Sequence, residues 1–267
     1  MQAVILAGGF GSRLSEETSL KPKPLVEIGG MPILWHIMKI YSYHGINDFV
    51  ICLGYKGYLI KEYFYNYSLH SSNIEVDVTE NSITYLNKTT EPWKIKLIDT
   101  GADSMTGGRL KRVEKYIDQE TFCFTYGDGV ADININDLVK YHKDHKKIAT
   151  ITVATPPGRF GVVKIEDKKV TSFEEKPKGD QGLINAGFFV LNREVFDYIK
   201  DDQIVFEQYP LKTLVKEGQL YSYQHKGFWQ CMDTLRDKNY LNSLIDSSKA
   251  PWMKWDKWVS GKIKKYC

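Results

Sequence analysis

The sequence predicts an α/β fold built on a mostly parallel sheet flanked by helices. Three observations predict it. Gln2–Ala7, Asp48–Leu53 and Thr121–Tyr126 are short, largely apolar runs, the pattern of strands buried on both faces. Segments with helical spacing lie between them, and strand–helix alternation implies right-handed crossovers between parallel strands. The first and third runs lead into the glycine-bearing turns "AGGFGSR" and "YGDG", at the carboxyl ends of strands, where ligand sites form in such sheets.

The elements follow in chain order. After the first strand, 32–43 sets Ile33, Ile37, Ile40 and Tyr41 near one face, and Pro32 suits a first helical turn. The run at 48–53 is a second buried strand, and 56–67 reads as a helix. Between 73 and 98 the rhythm breaks. Ile74, Val76 and Val78 alternate with polar residues, as do Ile83 and Tyr85, with "TENS" between them. That pattern predicts a hairpin, followed by a strand near 95–98. A helix over 106–116 takes Thr106 as its cap. Then come a strand at 121–126, a helix at 134–145 and a strand at 148–154. In the second half, "RFGVVKIEDKKVTSFEEKPKG" reads as two short strands joined by a charged turn, and 185–191 as a further strand. Together they suggest a mixed second sheet. Short helices near 194–198 and 207–216, a strand at 220–224 and a helix at 234–245 complete the reading.

Composition bounds the function. The chain has 267 residues, 26% of them charged, and a net charge of only +3. One compact unit accommodates this length, and the charge does not suggest a nucleic-acid coat. No apolar stretch is long enough for a membrane span, and the first residues read as a core strand rather than a signal peptide. Cys52, Cys123, Cys231 and Cys267 show no CxxC spacing, so reduced thiols in the cytoplasm are expected. Trp252, Trp255 and Trp258 recur every third residue in a lysine-rich tail. We read it as a docked terminal arm rather than a membrane-surface helix.

The glycine loop fails two familiar tests. A dinucleotide GxGxxG frame on Gly9 and Gly11 meets Leu14 at its third glycine, and no Gly-Lys pair of a P-loop follows the strand. What remains is a loop whose glycines let backbone N–H groups approach a phosphate. Arg13 offers a bidentate fork. Lys23 sits between Pro22 and Pro24, which stiffen its backbone. Charge-assisted hydrogen bonds of this kind contribute ~1.5–3 kcal/mol each. So many cations suit a polyphosphate that gains charge during reaction.

Two carboxylates complete a candidate site. Asp128 follows Gly127 just past a buried strand, at the rim that carries the glycine loop. Asp233 precedes a helix and alone would read as its N-cap. As a pair they suit magnesium, which takes one or two carboxylates plus phosphate oxygens and water. His142 and His145 lack a third ligand and read as surface residues rather than a zinc site. Arg109, behind a glycine pair at a helix start, could reach a phosphate, and Ser104 could read a base edge. In "FEEKPKG", Lys176 is a candidate for a second anion and Glu175 for sugar hydroxyls; the Asn185 amide could bind hydroxyls too.

In order, "LAGGFGSRL", "KPKP", "GDG", "EKP" and "MD" resemble the sugar-1-phosphate nucleotidyltransferases. The longer strings "SEETSLKPKPLVEIGG", "DTGADSMTGGRLKRV", "YGDGVAD", "PPGRFG" and "FWQCMDTLRDK" narrow the resemblance to members that join CTP to glucose 1-phosphate. The resemblance implies a Rossmann-like core over roughly 1–155 and a smaller β-rich, sugar-binding part over roughly 156–267. It implies CDP-glucose and pyrophosphate as products, Mg2+ as cofactor, a role in O-antigen deoxysugar synthesis, and a homo-oligomer, with a hexamer as one form. Carried over by motif, Leu6, Ala7, Gly8, Gly9, Phe10, Gly11, Ser12 and Arg13 bind nucleotide, with Ser104, Arg109 and Gly127. Lys23 binds phosphate, Asp128 and Asp233 hold magnesium, and Lys176 holds the sugar phosphate. Gly161, Glu175 and Asn185 line the sugar site. The resemblance leads one to expect Pro where Cys231 stands. Two other readings stay open: the same transfer with UTP, dTTP or another sugar 1-phosphate, and a non-catalytic sugar-nucleotide sensor.

Overall fold

In the computed structural model, residues 1–87, 90–156, 162–166, 169–174 and 182–255 are described. Seven strands form the central sheet: β1 (Gln2–Ala7), β2 (Asp48–Leu53), β3 (Lys94–Asp99), β4 (Thr121–Tyr126), β5 (Ala149–Ala154), β6 (Ile184–Asn192) and β7 (Leu220–His225). Their order is β7-β5-β6-β4-β1-β2-β3. β4, β1, β2 and β3 run parallel, as do β5 and β7. β6 is antiparallel to both its neighbours. The principal helices are α1 (Ile33–Tyr43), α2 (Gly57–Tyr65), α3 (Thr106–Arg112), α4 (Ile135–His145), α5 (Tyr209–Lys216) and α6 (Leu235–Asp246).

Strand alternation feeds two cores, one on each face of the sheet. From β1, Ala3, Ile5 and Ala7 join Ile33, Ile37 and Tyr41 of α1, Leu138 of α4 and Leu241 of α6. Val4 faces the other way, toward Leu110 of α3, Phe206 and Leu214 of α5. Because both faces are buried, β1 reads as unbroken apolar sequence. The expected second mixed sheet does not form from 185–191. Its Phe188, Phe189, Val190 and Leu191 are all buried, and a strand apolar on both faces belongs inside the central sheet. The charged hairpin does form, as the separate pair Val162–Glu166 and Lys169–Glu174. The other expected hairpin is Ile74–Asp77 against Ser82–Tyr85.

Three further expectations are corrected. Thr106 does not cap α3. Met105 is the residue before the helix, and the Thr106 hydroxyl donates to Glu207 Oε2 at 2.7 Å instead. The helix read over 56–67 ends at Tyr65, and a second short helix spans Tyr67–Ser71. His142 is not a surface residue but 1% exposed. Its Nδ1 lies 2.9 Å from Thr150 Oγ1 and its Nε2 3.0 Å from Asn192 Oδ1, joining α4 to the sheet. Among the described residues no cluster of three or more His, Cys, Asp or Glu could hold a metal. No described helix is long and apolar enough to cross a membrane. Trp252 is buried and stacks on Phe228 at 5.4 Å, and Trp255 packs edge-on to Trp35 at 5.9 Å. Trp258 lies outside the described residues.

His36 ties this arm to the core. Its Nε2 hydrogen goes to Ile28 O at 2.9 Å, so its Nδ1 accepts from the Trp252 indole at 3.3 Å. Burial pushes its pKa down to about 4 from 6.5. The unfolded chain therefore takes a proton that the folded core refuses. This stability is fully present above pH 6.5 and falls by about 3 kcal/mol as pH drops from 6.5 to 4. Urea midpoints across that window should fall more steeply for the native chain than for His36→Phe; equal slopes would remove His36 from the account.

Candidate active site

The chain order around β1 sets the position of the site. From β1 the chain goes to β2 and β3 on one side, and β4 returns on the other. The carboxyl ends of β1 and β4 thus flank the switch point where such sheets open a crevice. The glycine loop leaves β1 there, and Gly127-Asp128 leaves β4. The two strands come so close that a Cβ on Gly127 would sit 2.4 Å from Leu6 O. Between the loops lies a cavity of about 740 Å³. Its lining includes Leu6, Ala7, Gly8, Gly9, Phe10, Gly11, Ser12 and Arg13, with Lys23, Ser104, Arg109, Gly127, Asp128 and Asp233. Gly11 has φ +66°, and a Cβ there would meet the Thr18 methyl at 2.7 Å. Thr18 Oγ1 in turn donates to Gly11 O at 3.1 Å, which fixes the loop's exit.

The charged centre is built by a second pairing. Gly129–Ala131, directly after Asp128, pairs antiparallel with Trp229–Cys231, just before Asp233. Met232 N–H also donates to Asp128 O at 2.8 Å. Two acids far apart in sequence are thereby held side by side. The N-cap role considered for Asp233 belongs to Thr234, which forms a capping box with Asp237. That leaves the Asp233 carboxylate to face the site. Lys23 enters from the short turn Lys23–Leu25, which Pro22 approaches in extended geometry. Its Nζ donates to Asp128 Oδ2 at 2.8 Å and Asp233 Oδ1 at 2.7 Å. Arg13 reaches Asp233 Oδ2 at 3.0 Å from the exposed side.

Burial pulls the Lys23 pKa down, but Asp128 and Asp233 more than reverse this and leave it above its ordinary value of 10.5. The ammonium is therefore charged at any physiological pH. Two carboxylates converging on one cation make a hard-oxygen donor pair. It fits a magnesium ion that takes its remaining ligands from phosphate and water. Cys231 lies beside them. Its thiol, pushed up to about 12 by burial and then by Asp233 and Asp128, stays protonated. Its Sγ makes a weak contact with Asp233 Oδ2 at 3.8 Å.

Arg109 lines the cavity, as expected, and has structural partners besides. Its guanidinium lies in the cavity wall but donates to Gly101 O at 2.7 Å, Ala102 O at 2.9 Å, Thr100 Oγ1 at 3.0 Å and Leu53 O at 3.2 Å. Its Nη1 is committed to acceptors at and just beyond the ends of β2 and β3. Ser104 is likewise turned inward, with Oγ donating to Thr100 O at 2.5 Å. Asn185 is absent from this cavity and lines an adjoining one of about 180 Å³, which shares Tyr126, Asp128 and Asp233 with it. Gly161, Glu175 and Lys176 lie outside the described residues. Sequence reasoning missed Tyr126, Met105 and Gln203 in the main wall. Only Tyr126, beside the "GDG" turn, carried a local signal.

Comparisons with known proteins agree with this architecture. The family model described as nucleotidyl transferase matches residues 2–239. A glucose-1-phosphate cytidylyltransferase of Salmonella typhi is 60% identical over 96% of this chain and all of its own length. A probable glucose-1-phosphate cytidylyltransferase of Bacillus subtilis is 45% identical, again over 96% of this chain and the whole relative. Among solved structures, HddC from Yersinia pseudotuberculosis superposes with a TM-score of 0.68 at 23% identity, covering 91% of this chain and 99% of that one. The inositol-1-phosphate CTP transferase from T. maritima gives 0.65 at 17%, covering 93% and 95%. At those identities the structures speak to the fold alone, whereas the family match spans most of the chain and takes in the glycine loop, Lys23, Asp128 and Asp233: this chain belongs to the nucleotidyl transferase family.

Proposed function

We propose that the chain transfers the cytidylyl group of CTP to α-D-glucose 1-phosphate, giving CDP-glucose and pyrophosphate. The observation that carries this reading is the convergence of Lys23, Asp128 and Asp233 where the two cavities meet. The larger cavity has the size and glycine-lined wall for a nucleotide, and the smaller suits a hexose. The choice of CTP and glucose rests on the 60% identical relative and its name.

The sugar phosphate is already anionic at neutral pH, so no general base is required. Its oxygen forms a bond to the α-phosphorus as the bond to the bridging oxygen breaks. The electron pair leaves with pyrophosphate, in line. The chain must hold two anions together and neutralise a third. Lys23 and Arg13 place positive charge at the junction, and the glycine loop presents backbone N–H groups to the phosphates. Magnesium, held by Asp128 and Asp233, would add charge neutralisation to the phosphates when bound. Lys176, by its motif, would hold the sugar phosphate. A cytoplasmic homo-oligomer feeding deoxysugar synthesis is part of the same proposal.

The test is direct. Incubation with Mg2+, glucose 1-phosphate and each nucleoside triphosphate in turn should release pyrophosphate with CTP only. Release with UTP or dTTP and none with CTP would replace the donor assignment.

A further inference from the structure

Tyr126 stands between the two cavities and lines both. Its ring lies against Gly187, where an added Cβ would come within 2.8 Å of it. The ring occupies the space that a side chain at Gly187 would need, and φ +79° there favours glycine. The hydroxyl then enters a chain of hydrogen bonds whose direction is forced at every step. Glu207, from the turn before α5, receives the Tyr126 hydroxyl hydrogen at Oε1 and the Thr106 hydroxyl hydrogen at Oε2. A carboxylate only accepts, so Tyr126 must donate to it. The phenol hydrogen is thereby committed to Glu207. Its oxygen is left to accept, and does so from Asn185 Nδ2 at 3.1 Å. From the other side the Gly187 N–H can only donate, and it holds Asn185 Oδ1 at 2.8 Å. The Asn185 amide is therefore fixed in one of its two flips.

An amide has two donor hydrogens and two acceptor lone pairs. One of each is used here. A hydrogen on Nδ2 and a lone pair on Oδ1 remain to serve the smaller cavity. That donor–acceptor pair matches neighbouring hydroxyls of a pyranose, one accepting and the next donating. We propose that Glu207 is a positioning residue for the sugar, acting through Tyr126 to hold the Asn185 amide in the flip that reads two adjacent hydroxyls. The inference rests on the function proposed above and names the part of the site that selects the sugar.

Glu207→Gln offers one acceptor where two hydroxyl donors need one each. Tyr126→Phe removes a single oxygen and leaves the ring on Gly187. Each should raise the KM for glucose 1-phosphate about tenfold, as for one misdirected hydrogen bond, and move the KM for CTP much less. The double variant should be no worse than either single one, since the groups act in series. Against a panel of monodeoxyglucose 1-phosphates, the native chain should discriminate at two neighbouring hydroxyls, and the variants should lose that discrimination. A purely structural role would lower thermal stability and raise both KM values together, with discrimination kept. Either that result or unchanged kinetics in an active protein overturns the relay alone. If Glu207→Gln does not fold, Tyr126→Phe carries the test. A native chain that turns over no sugar phosphate overturns the proposed function and the relay with it.

Discussion

Asp128→Asn is expected to lower kcat by roughly a thousandfold or more while the protein stays folded. The substitution keeps the shape of the side chain and removes one negative charge. Three consequences follow from the geometry. Lys23 loses one of its two carboxylate partners, at 2.8 Å. The donor pair for a hard cation falls from two carboxylates to one. The balance of charge at the junction of the cavities then tips positive, which strengthens ground-state binding of phosphates without aiding the departure of pyrophosphate. The backbone pairing of Gly129–Ala131 with Trp229–Cys231 does not use the side chain, so the fold should survive. The measurements are kcat at saturating substrates, thermal midpoint, and the Mg2+ concentration for half-maximal rate. The midpoint should stay within a few degrees and the Mg2+ requirement should rise. Near-normal turnover would overturn the placing of metal at Asp128. Asp233→Asn takes away the other carboxylate of the pair and also leaves Arg13 without its partner at 3.0 Å.

These residues also show what sequence could and could not supply. β1, β2 and β4 were legible because burial on both faces writes an unbroken apolar run. Their order across the sheet was not legible, since pairing between distant strands leaves no local trace. β6 reads as a strand from sequence, but the charged hairpin before it suggests a separate layer rather than a place in the central sheet. The glycine loop, Lys23 and Asp128 could be proposed from chemistry and position. Asp233 could not be separated from a helix cap until Thr234 and Asp237 were seen to form the capping box. The Glu207–Tyr126–Asn185 chain joins three segments with no shared motif, and only the fold brings them together.

Arg109→Ala is expected to destabilise the protein by about 2–5 kcal/mol, the scale for truncating a large buried side chain and losing the hydrogen bonds it donates. Arg109 is 5% exposed, and its loss takes the side-chain donor from Gly101 O and Ala102 O, while Leu53 O keeps the Thr100 N–H and hydroxyl. The loss also opens a void beneath the glycine loop. Gly8 and Gly54 both pack directly on the guanidinium, with a Cβ on Gly8 falling 2.3 Å and one on Gly54 2.4 Å from Nη1. The guanidinium therefore acts as a wedge that sets the height of the loop above the sheet. Arg109→Lys should rescue little, because an ammonium cannot span four acceptors arrayed around a planar fork. Gly8→Ala should damage the same contact from the opposite side, and the pair should be strongly non-additive. Urea midpoints measure the stability loss, and the KM for CTP measures the displacement of the loop. If Arg109→Ala keeps native stability and raises only the KM for CTP, the guanidinium acts on the nucleotide, as the sequence alone suggested. If stability falls and Arg109→Lys falls nearly as far, the backbone contacts account for the residue, and the nucleotide feels it only through the loop it supports.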